Sequence, residues 1–592
     1  MRPYPLNRAA ALSLLAIAGM VSLAVDQSPA QAASASAPSD TAPGTQTKAK
    51  RPNILLIVAD DLGFSDIGAF GGEIETPNLD ALAREGLRLT DFHAAATCSP
   101  TRSMLMSGVD HHIAGLGSMA ELTVPEQQGQ AGYEGYLNDR VAPFPALLRQ
   151  AGYHTYMAGK WHLGLTEDRS PTVRGFEKSF ALLRGADDHY AQPWSSKVDP
   201  KQPYYREDGK LTSVPADFYS SNFYGDKLVS YLKAQSDDKP FLAYLAFTAP
   251  HWPLQAPFDV IAKYEHRYEA GYEAIRQERI ERQKALGILP KEFQPAKALT
   301  LWPRWRRLTV SQQKQEARRM AIYAAMVDVL DQNVGKVIQQ LKDAGQYDNT
   351  VIIFMSDNGA EGAYVGNRFA LIPRDNSLGN LGKASSYVSY GPNWAQVSAL
   401  PFNLFKGYSY EGGTTVPTIV RFPAHLGEGK VSAVPAHVTD IAPTLLELAG
   451  VRYPSQYDGH EVVAAQGRSL LPFLSGRQAQ VHERFDKGWE LFGQKAYRQG
   501  DWKIVYSIPP YGTGDWQLFN LKVDRAEQQN LAALHPEKLA ELKAAYAAYV
   551  HRNGVLEVPR LAERISERYG SQAYFENLEA APATALAPEL KP

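Results

Sequence analysis

Cys98 opens the string Cys98-Ser99-Pro100-Thr101-Arg102-Ser103 and is the single cysteine of a 592-residue chain, so no intramolecular disulfide uses it. Pro100 suits the first turn of a helix, where its missing N–H costs nothing. In a helix Arg102, four residues on, shares a face with Cys98. A thiol at the positive end of a helix beside a fixed cation suits an anion site or an activated nucleophile; a buried, inert thiol is the alternative for that residue alone. Asp60-Asp61 and Asp357-Asn358 offer only oxygen donors, which suits a hard cation such as Ca2+ or Mg2+ and disfavours zinc. Either pair alone serves equally to cap a helix or to face solvent, but two such pairs together favour a metal. Lys160 and His162 stand two apart, so an extended segment points both the same way, a candidate cation and a candidate proton carrier. His251, in Ala249-Pro250-His251-Trp252-Pro253, is a candidate general acid, and Lys406 a second candidate cation. The adjacent His111 and His112 read as loop packing near the pocket rather than as ligands.

These residues need elements that bring them together. The runs 53–59, 153–157, 241–247 and 350–355 are short and continuously apolar, and polar candidates follow each one. Such runs read as strands buried on both faces, the signature of a mostly parallel sheet. Helical periodicity lies between them, at 76–84 with Leu79 and Leu82 and at 320–341 with Ile322, Met326, Val329, Val337 and Leu341. The expected fold class is therefore α/β: a large, mostly parallel mixed sheet flanked by helices. A smaller C-terminal α+β unit follows, with a short antiparallel sheet from runs such as 502–506 and 516–519 and a helix near 536–550. In such sheets ligands gather outside the carboxyl ends of the strands, where the polar clusters fall. The polar, aromatic-rich stretch 186–319, with its charged part 264–284, reads as loops plus one exposed helix. That stretch and the loop 115–138 are the expected selectors of substrate.

Length and composition are those of a globular protein: 44% hydrophobic, 21% charged and a net charge of −2, which gives no electrostatic case for nucleic acid. Residues 1–32 carry Arg2 and Arg8, an apolar stretch at 9–25 and Ala30-Gln31-Ala32, the pattern of a cleaved secretory signal, with a membrane anchor as the alternative. The expected organisation is signal peptide 1–32, flexible linker 33–50, catalytic domain 51–470, small C-terminal domain 471–555 and tail 556–592. Export to the periplasm, or secretion, with no membrane span after cleavage, is the matching expectation.

The Cys98-x-Pro100-x-Arg102 motif resembles that of the type I, formylglycine-dependent sulfatases of the alkaline phosphatase superfamily, and in particular bacterial arylsulfatases. Asp60-Asp61-Leu62-Gly63, Gly159-Lys160-Trp161-His162-Leu163-Gly164, Pro250-His251, Ser356-Asp357-Asn358-Gly359 and Lys406 before Glu411-Gly412-Gly413 extend the resemblance over roughly residues 51–550. It implies an alkaline-phosphatase-like sheet and hydrolysis of sulfate monoesters. It implies that Cys98 is oxidised to Cα-formylglycine by a formylglycine-generating enzyme, while the segment is still accessible, and that the hydrated aldehyde attacks sulfur. A covalent sulfo-enzyme and elimination to the aldehyde would follow. It implies Ca2+ held by Asp60, Asp61, Asp357, Asn358 and the modified Cys98, with Arg102 steadying the diol, and Asp357 and His162 taking protons. Lys160 and Lys406 would bind sulfate, and His251 would bind substrate and protonate the leaving group. A phosphonate or phosphate ester hydrolase on the same scaffold, or a non-catalytic binding protein with unmodified Cys98, remain the alternatives.

Overall fold

The computed structural model describes residues 51–299, 303–366, 370–423 and 429–569. The expected signal peptide and linker, and the tail beyond 569, lie outside these. No helix among the described residues is long and apolar enough to cross a membrane.

A ten-stranded mixed sheet forms the centre: β1 (Asn53–Ala59), β2 (Leu87–Leu89), β3 (His154–Lys160), β4 (Lys178–Leu182), β5 (Tyr205–Glu207), β6 (Lys210–Thr212), β7 (Phe241–Ala246), β8 (Thr350–Ser356), β9 (Thr418–Arg421) and β10 (Lys430–Ser432). Their spatial order is β10-β2-β9-β8-β1-β7-β3-β4-β5-β6. The central strands β8, β1, β7, β3 and β4 run parallel, and β9, β5 and β6 pair antiparallel towards the edges.

Every residue of β1 is buried, and its alternation divides it between two cores. Leu55, Ile57 and Ala59 join one core with Leu79, Leu228 and the inward residues of the helix Val310–Asp343. Ile54, Leu56 and Val58 join the other, with Met104, Leu105, Leu148 and Leu445. The continuous apolar run thus reflects helices on both faces, a three-layer α/β/α sandwich. The helix Cys98–Ser107 belongs to the second layer.

Register aligns the strand ends. Ala59 pairs with Ser356, so Asp60 and Asp357 leave neighbouring parallel strands at the same level. Gly159 pairs with Ala246 on β7 at φ 123°, and a Cβ there would stand 1.7 Å from the Ala246 carbonyl oxygen. Only glycine lets β3 and β7 approach this closely just before Lys160.

A four-stranded antiparallel meander follows: β11 (Asp486–Leu491), β12 (Gln494–Gln499), β13 (Trp502–Tyr506) and β14 (Trp516–Asn520). The helix Pro536–Asn553 covers it through Leu542, Tyr546 and Tyr549. Buried polar contacts tie this unit to the main sheet. Arg498 meets both carboxylate oxygens of Asp91 at 2.9 Å, Lys503 lies 2.9 Å from Glu411, and the Trp489 indole donates to the Ala94 carbonyl.

The 186–319 stretch departs from the sequence reading. Its charged helix, Tyr272–Ala285, is not simply exposed. Arg279 has no exposed surface and bonds to Glu73 at 2.7 and 2.8 Å and to Asp66 at 2.6 Å. Partners distant in sequence supply the countercharge that makes this burial possible. The long helix starts at Val310, ten residues ahead of the periodic stretch, where Thr309 and Gln312 form a capping box. The expected tail contains a further helix, Leu561–Tyr569.

Candidate active site

Asp60 and Asp61 follow β1, Asp357 and Asn358 follow β8, Lys160 ends β3 and His251 lies beyond β7. The sheet brings these strand ends to one crevice, and Cys98 enters it as the first residue of its helix. One ligand atom each from Asp60, Asp61, Cys98 and His251 lies within 4.8 Å of all the others. Asp357 accepts from the Asp61 amide at 3.2 Å, and Asn358 Nδ2 donates to Asp61 Oδ1 at 2.7 Å. All these groups are buried.

Three cations face four carboxylates. Arg102, buried on the helix that Cys98 starts, donates from Nε to Asp357 Oδ2 at 2.9 Å and from Nη1 to the Lys160 carbonyl at 3.0 Å. Lys160 Nζ reaches both Asp60 oxygens at 2.9 and 2.7 Å. Lys406 Nζ lies 2.9 Å from both Asp61 Oδ2 and Glu361 Oε2. Burial raises the Asp60 carboxyl, Lys160 opposes that rise at 2.7 Å, and Asp357 and Asp61 add to it. For Asp61 burial acts in the same sense, but Lys406, His251 and Lys160 outweigh it and hold the carboxyl below its ordinary range. Burial raises the Cys98 thiol well above its usual value, so it stays protonated and a poor nucleophile.

The donor set fits a hard divalent cation. Asn358 Nδ2 has two carbonyl or carboxylate acceptors, which orients the amide, and Oδ1 is left buried with no hydrogen-bond partner among the described residues. A buried carbonyl oxygen without a partner, next to clustered carboxylates, is the type of donor that a hard cation takes.

Two histidines complete the site. His251 Nδ1 donates to the Trp252 carbonyl at 2.6 Å, which directs Nε2 towards Asp61 Oδ2 at 3.5 Å. Burial, reinforced by Lys406 and Lys160, lowers its basicity well below the ordinary histidine range. His162 Nε2 donates to Glu121 Oε1 at 2.9 Å, and its buried Nδ1 has no partner among the described residues. Burial lowers its pKa too, against the pull of Glu121. The extended segment that the expected common direction of Lys160 and His162 rests on ends at Lys160, although the two groups remain close enough to interact. His162 takes a left-handed backbone, φ 56°, so strand alternation no longer governs it.

A cavity of about 770 Å3 opens beside the cluster, lined in part by Thr97, Ser99, His162, His251, Trp252 and Lys406. The loop 115–138 contributes Leu116, Met119, Glu121 and Leu122 to the lining. Sequence reasoning missed Glu121, Glu361 and Tyr244, whose hydroxyl is 3.5 Å from Arg102 Nη1. No local pattern marks them. His111 and His112 stay out of the cavity lining: His112 sits between Asp110 and Glu490, and His111 Nδ1 bonds the Leu116 carbonyl.

Residues 52–451 match the family model described as Sulfatase, and residues 402–548 match the one described as N-sulphoglucosamine sulphohydrolase, C-terminal. An uncharacterized sulfatase of Schizosaccharomyces pombe is 46% identical over 534 residues, spanning 87% of this chain and 96% of its own. An arylsulfatase of Klebsiella aerogenes is 42% identical over 412 residues, 68% of this chain and 87% of its own. Among solved structures, Ps i-CgsB in complex with k-i-k-neocarrahexaose shares the fold with a TM-score of 0.60 at 24% identity, covering 90% of this chain and all of that one. A fold, a family model and two relatives that agree over most of the chain lead to one conclusion: this chain belongs to the sulfatase family, the sulfuric ester hydrolases.

Proposed function

We propose that this sulfatase hydrolyses sulfate monoesters of the arylsulfatase type, giving an alcohol or phenol and inorganic sulfate, with Cys98 as the precursor of a formylglycine. One observation carries the reading: Cys98 lies 3.8 Å from Asp61 in a carboxylate cluster, at the edge of a cavity lined by histidine and lysine. Ca2+ held by Asp60, Asp61, Asp357, Asn358 and the modified Cys98 would neutralise sulfate oxygens and orient the reacting groups. The hydrated aldehyde of a modified Cys98 would supply the hydroxyl that attacks sulfur.

The chain's own residues bind, orient and move protons. Arg102 fixes Asp357, whose carboxylate receives the proton of the attacking hydroxyl. Lys406, facing the cavity, offers its ammonium to a sulfate oxygen, and Lys160 adds positive charge beneath it. His162 donates from Nε2 to Glu121, which leaves the Nδ1 lone pair to take a second hydroxyl proton. His251, with its Nδ1–H committed to Trp252, turns Nε2 towards Asp61 Oδ2, and it protonates the departing oxygen only from the imidazolium form, which Asp61 favours against burial. Modification of the Cys98 segment by a formylglycine-generating enzyme before folding, and export to the periplasm or beyond, belong to the same proposal.

The test is turnover of 4-nitrophenyl sulfate and 4-nitrophenyl phosphate by protein whose Cys98 is verified as the aldehyde. Sulfate ester hydrolysis that chelation lowers and Cys98→Ala abolishes supports the reading. A preference for the phosphate ester would replace it with phosphate ester hydrolysis.

A further inference from the structure

The helix Leu561–Tyr569 comes late in the chain, far in sequence from Cys98, yet two of its residues, Ala562 and Ile565, line the cavity beside His162 and His251. Its position is built, not incidental. Leu561 and Ala562 are buried, 3% and 5% exposed. The turn between β11 and β12 passes directly beneath: a Cβ on Gly493, at φ 79°, would stand 2.7 Å from the Ala562 amide nitrogen. On the next turn Arg564 grips Glu126 through two hydrogen bonds of 2.8 and 3.2 Å, which ties the helix to the loop 115–138. The Leu556 amide, just upstream, donates to the Tyr133 hydroxyl of that same loop.

The surface assembled in this way is largely apolar, with Glu121 and Gln494 as its polar neighbours. Ile565 packs with Met119, Leu122 and Phe492, and all four face the cavity. Glu126 and Arg564 pair with each other, and Arg184, elsewhere in the cavity lining, stacks on Tyr204 and donates to the Pro203 carbonyl, so the patch around Ile565 itself offers no cation to a second anionic group. A polyanionic sulfated saccharide would leave its charges unpaired here, whereas an apolar body removes this surface from water. The cavity volume, about 770 Å3, is in the range that encloses such a group.

We propose that the helix Leu561–Tyr569 forms part of the substrate cavity and that Ile565, with Met119, Leu122 and Phe492, selects sulfate esters whose alcohol portion is an extended apolar group. This rests on the sulfate ester hydrolysis proposed above. The sulfate end lies at Lys406 and His251, and the apolar end runs towards Ile565.

The experiment uses the full-length, aldehyde-bearing protein, the esters 1-pyrenyl sulfate and 4-nitrophenyl sulfate, and the variants Ile565→Asp and Ile565→Leu. The readout is the ratio of kcat/KM for the large ester to that for the small one. Placing a carboxylate on the wall should lower this ratio about tenfold, and Ile565→Leu should preserve it. A ratio that stays within about twofold of the parent in Ile565→Asp overturns the proposal. Failure of the activity itself reads out separately: if the parent protein hydrolyses neither ester, fluorescence titration with pyrene-1-sulfonate still measures the wall. Binding about tenfold weaker in Ile565→Asp supports the assignment, and equal binding refutes it.

Discussion

The ammonium of Lys160 lies 2.9 and 2.7 Å from the two carboxylate oxygens of Asp60, and neither side chain exposes any surface. This pair balances charge at the floor of the site. Deleting one partner of a buried ion pair leaves the other uncompensated. Lys160→Ala should cost about 3–5 kcal/mol in urea unfolding monitored by circular dichroism. Saturating Ca2+ should recover part of that loss, because a divalent cation also neutralises Asp60. A variant as stable as the parent in the absence of metal would contradict the pairing.

Asn358 Oδ1 is the buried acceptor that lacks a protein partner among the described residues. Asn358→Leu keeps the bulk and removes the oxygen. In the parent, Ca2+ at about one hundred times its Kd should add about 2.7 kcal/mol of stability. The variant should lose most of that increment, in addition to a lower metal-free melting temperature from the lost Nδ2 hydrogen bonds to Asp61 and Gly359. An undiminished Ca2+ shift would take Asn358 out of the ligand set.

Gly159 stands against the backbone of Ala246 with no room for a side chain. Gly159→Ala must push β3 from β7 next to Lys160. We expect a loss of more than about 2 kcal/mol by thermal or urea unfolding, because the positive φ adds strain to the clash. A melting temperature equal to the parent's would show that the strands part without cost.

His112 lies 2.9 Å from Asp110 and 3.1 Å from Glu490, with Tyr549 and His111 alongside. Burial opposes its charge, but hydrogen bonds to these two acids raise its pKa from 6.5 to about 9. A base whose pKa is higher in the folded state contributes fully below pH 6.5, and the contribution disappears as pH rises through about 9. His112→Gln should therefore be less stable than the parent by about 3 kcal/mol near pH 6, and the difference should shrink towards pH 9.5. Melting temperatures measured across that range decide it. A difference that is constant or grows with pH refutes the charged pairing.

What the sequence makes legible follows from local rules. β1 and β8 are continuous apolar runs that stop at acids, so both the strands and their polar ends can be read directly. Pro100 marks the first turn that puts Cys98 at a helix start. Long-range compensation is not legible. Arg279 lies on a charge-rich helix that reads as solvated, and only Glu73, 206 residues away, and Asp66 make its burial possible. Glu121 belongs to a three-residue 3-10 turn with no periodicity, and its role depends on His162 leaving the strand in a left-handed conformation. The helix Leu561–Tyr569 adjoins an Ala/Pro-rich segment, and its seat on Gly493 is a tertiary fact.

The central claim is that Cys98 is the precursor of the reacting group rather than the reacting group itself. Peptide mass spectrometry of the Cys98 segment, on preparations with graded conversion and with sulfate ester turnover measured on the same samples, tests it most directly. Turnover should rise in proportion to the aldehyde fraction and vanish where Cys98 remains entirely a thiol. Full turnover by protein carrying only the thiol would contradict the account.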